Sequence, residues 1–83
     1  MAGSAELTTV AWVDAPPTTV ADGFDALAQC SAHGAAVPAC VRADGDGLTV
    51  TFATPQRRVA PGQTVALYDP GRPESVVGSG VVR

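Results

Sequence analysis

Lysine is absent from this chain: its basic residues, Arg42, Arg57, Arg58, Arg72 and Arg83, are all arginines, set against eight carboxylates for a formal net charge of −3. The long-range field of such a chain repels phosphate, which excludes a freestanding protein that tracks a nucleic-acid backbone by charge alone. Any RNA contact has to be local or assisted by another domain. Aromatics are nearly as scarce. Phe, Trp and Tyr together number four, and although hydrophobic residues make up 46% of the sequence, much of that is Ala and Val. The core is therefore expected to be thin and built from small side chains. Two cysteines are too few for a disulfide-dependent scaffold, so reduced thiols are expected. No apolar run approaches the ~20 residues that cross a bilayer. The start Met1-Ala2-Gly3-Ser4 has neither a basic n-region nor a hydrophobic h-region, which reads as a cytoplasmic protein with no membrane partner.

Catalytic motifs are missing as well. There is no Gly-rich phosphate loop, no HExxH, no CxxC and no Gly-x-Ser-x-Gly elbow. The carboxylates Glu6, Asp14, Asp22, Asp25, Asp44, Asp46, Asp69 and Glu74 fall mostly in or beside expected turns, where Asp hydrogen-bonds the backbone. No catalytic residue and no cofactor are assigned to this chain.

What is present is a rhythm of short apolar segments punctuated by nine glycines and seven prolines. The 83 residues suffice for one domain burying roughly 60–65% of its unfolded surface. Glu6 to Val13 is rich in β-branched residues and reads as a first strand, stopped by Asp14-Ala15-Pro16-Pro17. Phe24, Ala26, Ala28 and Cys30 alternate with Asp25, Leu27, Gln29 and Ser31, the period of a half-buried strand; a helix capped by Asp22 is the competing reading. A third strand is expected over Val37 to Ala43, with Pro38 near its start. Asp44-Gly45-Asp46-Gly47 is the clearest turn, and Leu48, Val50 and Phe52 alternate with Thr49 and Thr51 after it, so a hairpin is predicted. The chain is expected to leave that strand at Thr54-Pro55-Gln56-Arg57-Arg58. Ala60-Pro61-Gly62-Gln63 has Pro and Gly placed for a type II turn. Strands follow at Thr64–Tyr68 and Val76–Val82, separated by Asp69-Pro70-Gly71-Arg72-Pro73, with Gly78 and Gly80 marking a bend or a close backbone approach. Six short strands with few large side chains point to an all-β fold, a small closed or nearly closed antiparallel barrel.

Three groups carry potential chemistry. Cys30, His33 and Cys40 are zinc-type donors at short spacing, but they fall one short of the four a structural site takes, and no metal is assigned. Arg57-Arg58 presents guanidinium forks suited to phosphate. Trp12 and Tyr68 are able to stack on bases, although the single Trp of a core-poor domain more often serves as its largest core side chain.

The run Pro55-Gln56-Arg57-Arg58-Val59-Ala60-Pro61-Gly62-Gln63-Thr64-Val65-Ala66-Leu67-Tyr68-Asp69, with Val77-Gly78-Ser79-Gly80-Val81-Val82 after it, closely resembles the C-terminal end of tRNA-specific 2-thiouridylases. Leu7 to Val13 resembles the strand that opens the same domain, and Ser31-Ala32-His33-Gly34 through Val41 its middle hairpin. The resemblance implies a six-stranded barrel similar to those of elongation factor Tu, over residues 5–83, with residues 1–4 a disordered leader or cloning remnant. It implies an excised accessory domain that positions tRNA while absent upstream domains bind ATP and thiolate the wobble uridine, with those domains and a sulfur carrier or cysteine desulfurase as further partners. Cys30 and Cys40 do not correspond to the family's catalytic cysteines. Where relatives carry an Arg-aromatic-Arg segment on the tRNA-facing part of the barrel, this chain reads Ser31-Ala32-His33. These three residues, with Arg42 and Arg57, are the expected RNA contacts, and the lost arginines agree with the acidic balance of the chain.

Overall fold

The computed structural model describes residues 2–30, 34–57 and 59–83. Six strands follow one another: β1 (Ala2–Trp12), β2 (Phe24–Gln29), β3 (Val37–Asp44), β4 (Gly47–Gln56), β5 (Thr64–Asp69) and β6 (Arg72–Val82). They close into a barrel in the order β1-β4-β3-β2-β5-β6, with every neighbouring pair antiparallel. Strands β2, β3 and β4 are consecutive neighbours and β5 returns to lie beside β2, which is a Greek-key arrangement.

Alternation sets which face each strand turns inward. Ala26, Ala28 and Cys30 are buried while Asp25 is exposed, so the segment that was also compatible with a helix pairs instead with β3 and β5. Val41, Val50, Val65, Leu7 and Leu67 are fully enclosed, and among the described residues Phe52 is the only aromatic in the buried core. Trp12 packs against the core from its rim, its ring centroid 6.0 Å from that of Phe24.

The turns follow their residues. The β3–β4 hairpin pairs Asp44 with Gly47, and its first central residue, Gly45, has φ 61° while Asp46 does not share the positive φ. That is the type II′ pattern, whose twist suits the flanking strands. Gln63 N–H donates to the Ala60 carbonyl at 3.1 Å and Gly62 has φ 86°, the predicted type II turn.

Several boundaries differ from expectation. β1 is already paired with β4 at Ser4↔Thr51, so it starts before Glu6, and it ends at Trp12. β4 continues through Pro55 to Gln56 because Ala2 pairs with Gln56. β6 begins at Arg72, not Val76, since the tight Pro70-Gly71 turn lets Arg72 pair directly with Asp69.

β1 closes the cylinder by changing partners. Residues up to Leu7 pair with β4, residues from Leu7 onward pair with β6, and the register slips between Thr8 and Ala11. Thr9, inside that slip, has φ 51°, a left-handed conformation unfavourable for a β-branched side chain. Replacing the exposed Thr9 by Asn or Gly is expected to stabilise the barrel by about 1 kcal/mol. The check is a urea midpoint that rises with an unchanged m-value.

Candidate functional site

Because the strands alternate in direction, the end of β2, the start of β3, the end of β4 and the start of β5 meet at one end of the barrel. Two connections emerge there. One runs from Cys30 to Ala36 and contains Ser31, Ala32 and His33, which lie outside the described residues. The other runs from Arg57 to Gln63 and contains Arg58, which also lies outside them. Ala39 pairs with Phe52, so the residues before β3 and those after β4 leave the wall on the same side, and exposed Arg57 shares that end with the first connection.

Arg42 is elsewhere. It sits on the outer wall of β3 opposite Thr49, which in turn lies opposite Glu6. Thr49 and Arg57 are separated by about 25 Å of extended strand. The five expected contacts therefore do not form one described cluster: Arg57 lies at the barrel end from which the 30–36 connection leaves, and Arg42 on the side of the barrel.

Two glutamines fasten the ends of the first connection. Gln63 Nε2 donates to the Cys30 carbonyl, while Gln63 Oε1 accepts from Ala60 N–H at 3.2 Å. Gln29 Nε2 donates to the Gly34 carbonyl at 2.8 Å, and Gln29 Oε1 accepts from the Tyr68 hydroxyl at 2.9 Å. Tyr68, considered above as a base-stacking residue, is half-buried with its hydroxyl committed to this pair. Trp12 pairs across to Gly78 and Val13 N–H bonds the Val77 carbonyl, so the indole belongs to the opposite end of the barrel. None of the glutamine contacts has a sequence signature. Two of the four join residues 33 and 39 positions apart, and glutamine carries no spacing rule that singles it out.

The two thiols occupy opposite sides of the barrel wall: Cys30 is buried and Cys40 exposed, and both are free. Among the described residues no three His, Cys, Asp or Glu side chains are grouped to hold a metal ion. Burial raises the Cys30 thiol above its ordinary value by desolvating the thiolate. A raised folded-state value contributes stability that is complete below the unfolded thiol's pKa and is lost as pH rises through the folded one, so the melting temperature is expected to fall in alkaline buffer. Ellman's reagent is expected to modify Cys40 in the native protein and Cys30 only on unfolding; two equal fast phases would contradict this.

The described surface carries one weak ion pair, Arg83 to Glu6 at 3.8 Å, with both side chains more than half exposed, an arrangement that contributes little to stability. On the outer wall of β2, β3 and β4 lies an open groove of about 550 Å³ whose apolar lining includes Leu27, Pro38, Cys40, Ala53 and Pro70, with Asp25 at its margin. Among the described residues no helix is long and apolar enough to cross a membrane.

Residues 4–82 match the family described as the aminomethyltransferase β-barrel domain. The chain is 50% identical over 74 residues to the tRNA-specific 2-thiouridylase MnmA of Arthrobacter sp. (76% of this chain, 20% of the relative). It is 49% identical over 57 residues to that of Frankia casuarinae (69% of this chain, 15% of the relative). It is 39% identical over 71 residues to that of Acidothermus cellulolyticus (86% of this chain, 18% of the relative). This chain belongs to the family of C-terminal barrels of the tRNA-specific 2-thiouridylases. It spans about a fifth or less of the length of these curated relatives. The 2-thiouridylase barrel seen here thus has the expected architecture, closed by the unbroken ring of strand pairs from β1 round to β6.

Proposed function

We propose that this barrel is an accessory domain that positions tRNA for an enzyme that 2-thiolates the wobble uridine, and that it takes no part in the chemistry itself. The observation that carries the reading is the similarity, over nearly the whole chain, to one section of proteins named tRNA-specific 2-thiouridylases. The shared barrel end bearing Arg57 and the 30–36 connection supplies a surface for it. ATP binding, adenylation of the uridine and sulfur delivery belong to the other four-fifths of such an enzyme, in the cytoplasm. Holding the substrate by a remote surface raises the effective concentration of the reacting base without touching it.

An acidic fragment should bind weakly. Fluorescence anisotropy of the isolated chain with tRNA is expected to give affinity no tighter than micromolar at low salt, decreasing as salt rises. Arg57→Ala should lower the salt slope by about 1, the signature of one lost phosphate contact. Sub-micromolar affinity would contradict the charge reasoning, and an unchanged slope would remove Arg57 from the surface. Transfer of His33→Ala into the complete enzyme should weaken tRNA binding; unchanged affinity would remove His33.

The groove over Leu27, Pro38 and Ala53 favours a second reading, a protein-docking module that holds upstream domains or a sulfur carrier, because exposed apolar patches commonly mark protein contacts. Binding of such a partner that survives nuclease and is lost on Leu27→Asp supports it.

A further inference from the structure

The barrel end opposite Arg57 holds the only indole of the chain beside an open hollow. At this end β1 finishes, the β3–β4 and β5–β6 turns close, and the 13–23 connection enters β2. The hollow, of about 250 Å³, is lined by Trp12, Val10, Pro16, Val20 and Leu48, with the exposed Asp46 as its carboxylate. The indole is set from behind. Gly78 pairs with Trp12 across the wall, and a Cβ at Gly78 would meet the ring at Cε3, 2.8 Å away, so the missing side chain lets the ring lie against β6. Phe24 abuts it at a tilt of 50°. The opposite lip is held as well, since Ala43 N–H donates to the Val20 carbonyl at 2.8 Å and Val20 packs against the core.

The charge around this hollow has one sign. Of the eight carboxylates of the chain, Asp14, Asp22, Asp44, Asp46, Asp69 and Glu74 stand on the turns and connections of this end or on their flanks, against Arg72 as the one cation in those segments. None of the six forms an ion pair among the described residues, where the single such contact is Arg83 to Glu6. Arg83 also approaches the β3–β4 turn at Gly47, but its guanidinium is engaged with Glu6. An aromatic ring with a carboxylate beside it suits a cation, because the ring quadrupole attracts positive charge and the carboxylate pairs with it. A nucleotide base is also able to stack on an indole, but its phosphates would have to approach through six carboxylates whose field repels them.

We propose that this hollow is a docking site for an arginine or lysine side chain of a protein partner, with the cation on the Trp12 ring and ion-paired to Asp46. The other carboxylates of this end face the basic surface around that side chain, and the complementarity of charge identifies the occupant. Val10, Pro16 and Val20 take its methylene stem, as apolar surface commonly does for long cationic side chains. A protein held here leaves the Arg57 end open to tRNA, and the inference stands or falls independently of the tRNA reading.

Trp12 is the single tryptophan, so its fluorescence reports occupancy. The probe is the peptide Gly-Arg-Gly-Arg-Gly, compared with the same peptide carrying citrulline, which keeps the shape of arginine and removes the charge. At low salt the arginine peptide is expected to change the fluorescence saturably and the citrulline peptide to leave it unchanged. Asp46→Asn should weaken binding about two- to fivefold, and Trp12→Leu, followed by amide NMR at Gly45 and Val20, about fivefold. An equal response to the citrulline peptide overturns the assignment of a cation. Unchanged affinity in Trp12→Leu reduces the contact to diffuse attraction by the acidic end, which overturns the docking site. Oligouridylate binding as tightly as the arginine peptide assigns the hollow to RNA instead. Should Trp12→Leu fail to fold, Asp46→Lys on the exposed turn decides the matter: it should lower affinity at least about tenfold, and a retained response overturns the proposal.

Discussion

Truncating Leu7 to alanine is expected to destabilise the barrel by about 3 kcal/mol and to lower its melting temperature by roughly 15–20 °C. Leu7 is fully buried and stands where β1 hands over from one neighbour to the other, opposite Leu48 on β4 and Val82 on β6. Its side chain fills space shared by both halves of the cylinder. The walls around it are strand backbones held by ladders on both sides, so they relax poorly into the cavity, and the cost should sit well inside the Leu→Ala range. Urea denaturation followed through the single Trp checks this; a loss under 1 kcal/mol would mean that the closure does not depend on this side chain.

The converse change, Gly80→Ala, is expected to cost about 2 kcal/mol through overpacking. A Cβ at Gly80 meets Leu7 Cβ at 2.8 Å and Leu7 Cδ1 at 3.0 Å. The nearer atom sits directly on the β1 backbone and cannot swing aside. Combining Gly80→Ala with Leu7→Ala removes Cδ1 but leaves Cβ, so less than half of the Gly80 penalty should be relieved. Gly3→Ala, where an added Cβ has nothing within 4 Å, is the matched control and should be neutral or slightly stabilising. Full rescue in the double variant would show that the strands move apart more freely than their pairing implies.

Much of this architecture was readable from local chemistry. The alternation from Phe24 to Cys30, the Gly-Asp hairpin at Gly45 and Asp46, and the Pro61-Gly62 turn each follow from rules that act over a few residues. The expectation of close approach at Gly78 and Gly80 also holds: their missing side chains face Trp12 and Leu7. Where the sequence misled, pairing overrode propensity. Ala2-Gly3-Ser4 has little strand preference of its own, yet β4 templates it into β1. Pro55 and Pro73 look like terminators, yet both are strand residues close to an end, where a missing donor is tolerated.

The candidate site was less legible because its organisation is tertiary. Arg42 and Arg57 look equivalent along the chain and are parted only by strand register. Gln29, Gln63 and Tyr68 are unremarkable in sequence and become partners only when β2 and β5 are adjacent. The resemblance to the 2-thiouridylases supplied candidate contacts, but nothing in it pointed to the amides that tie two connections together.

The pairing of Leu7 with Val82 joins positions at nearly the full reach of the chain. Few local contacts offset the entropy of that long closure, and folding slows when the contacts that matter are distant in sequence. On the ribosome the barrel must therefore wait for its last strand to leave the exit tunnel, so a nascent chain stalled before Arg72 would offer β1 and β5 no β6 to bridge them, leaving both as templates for aberrant pairing.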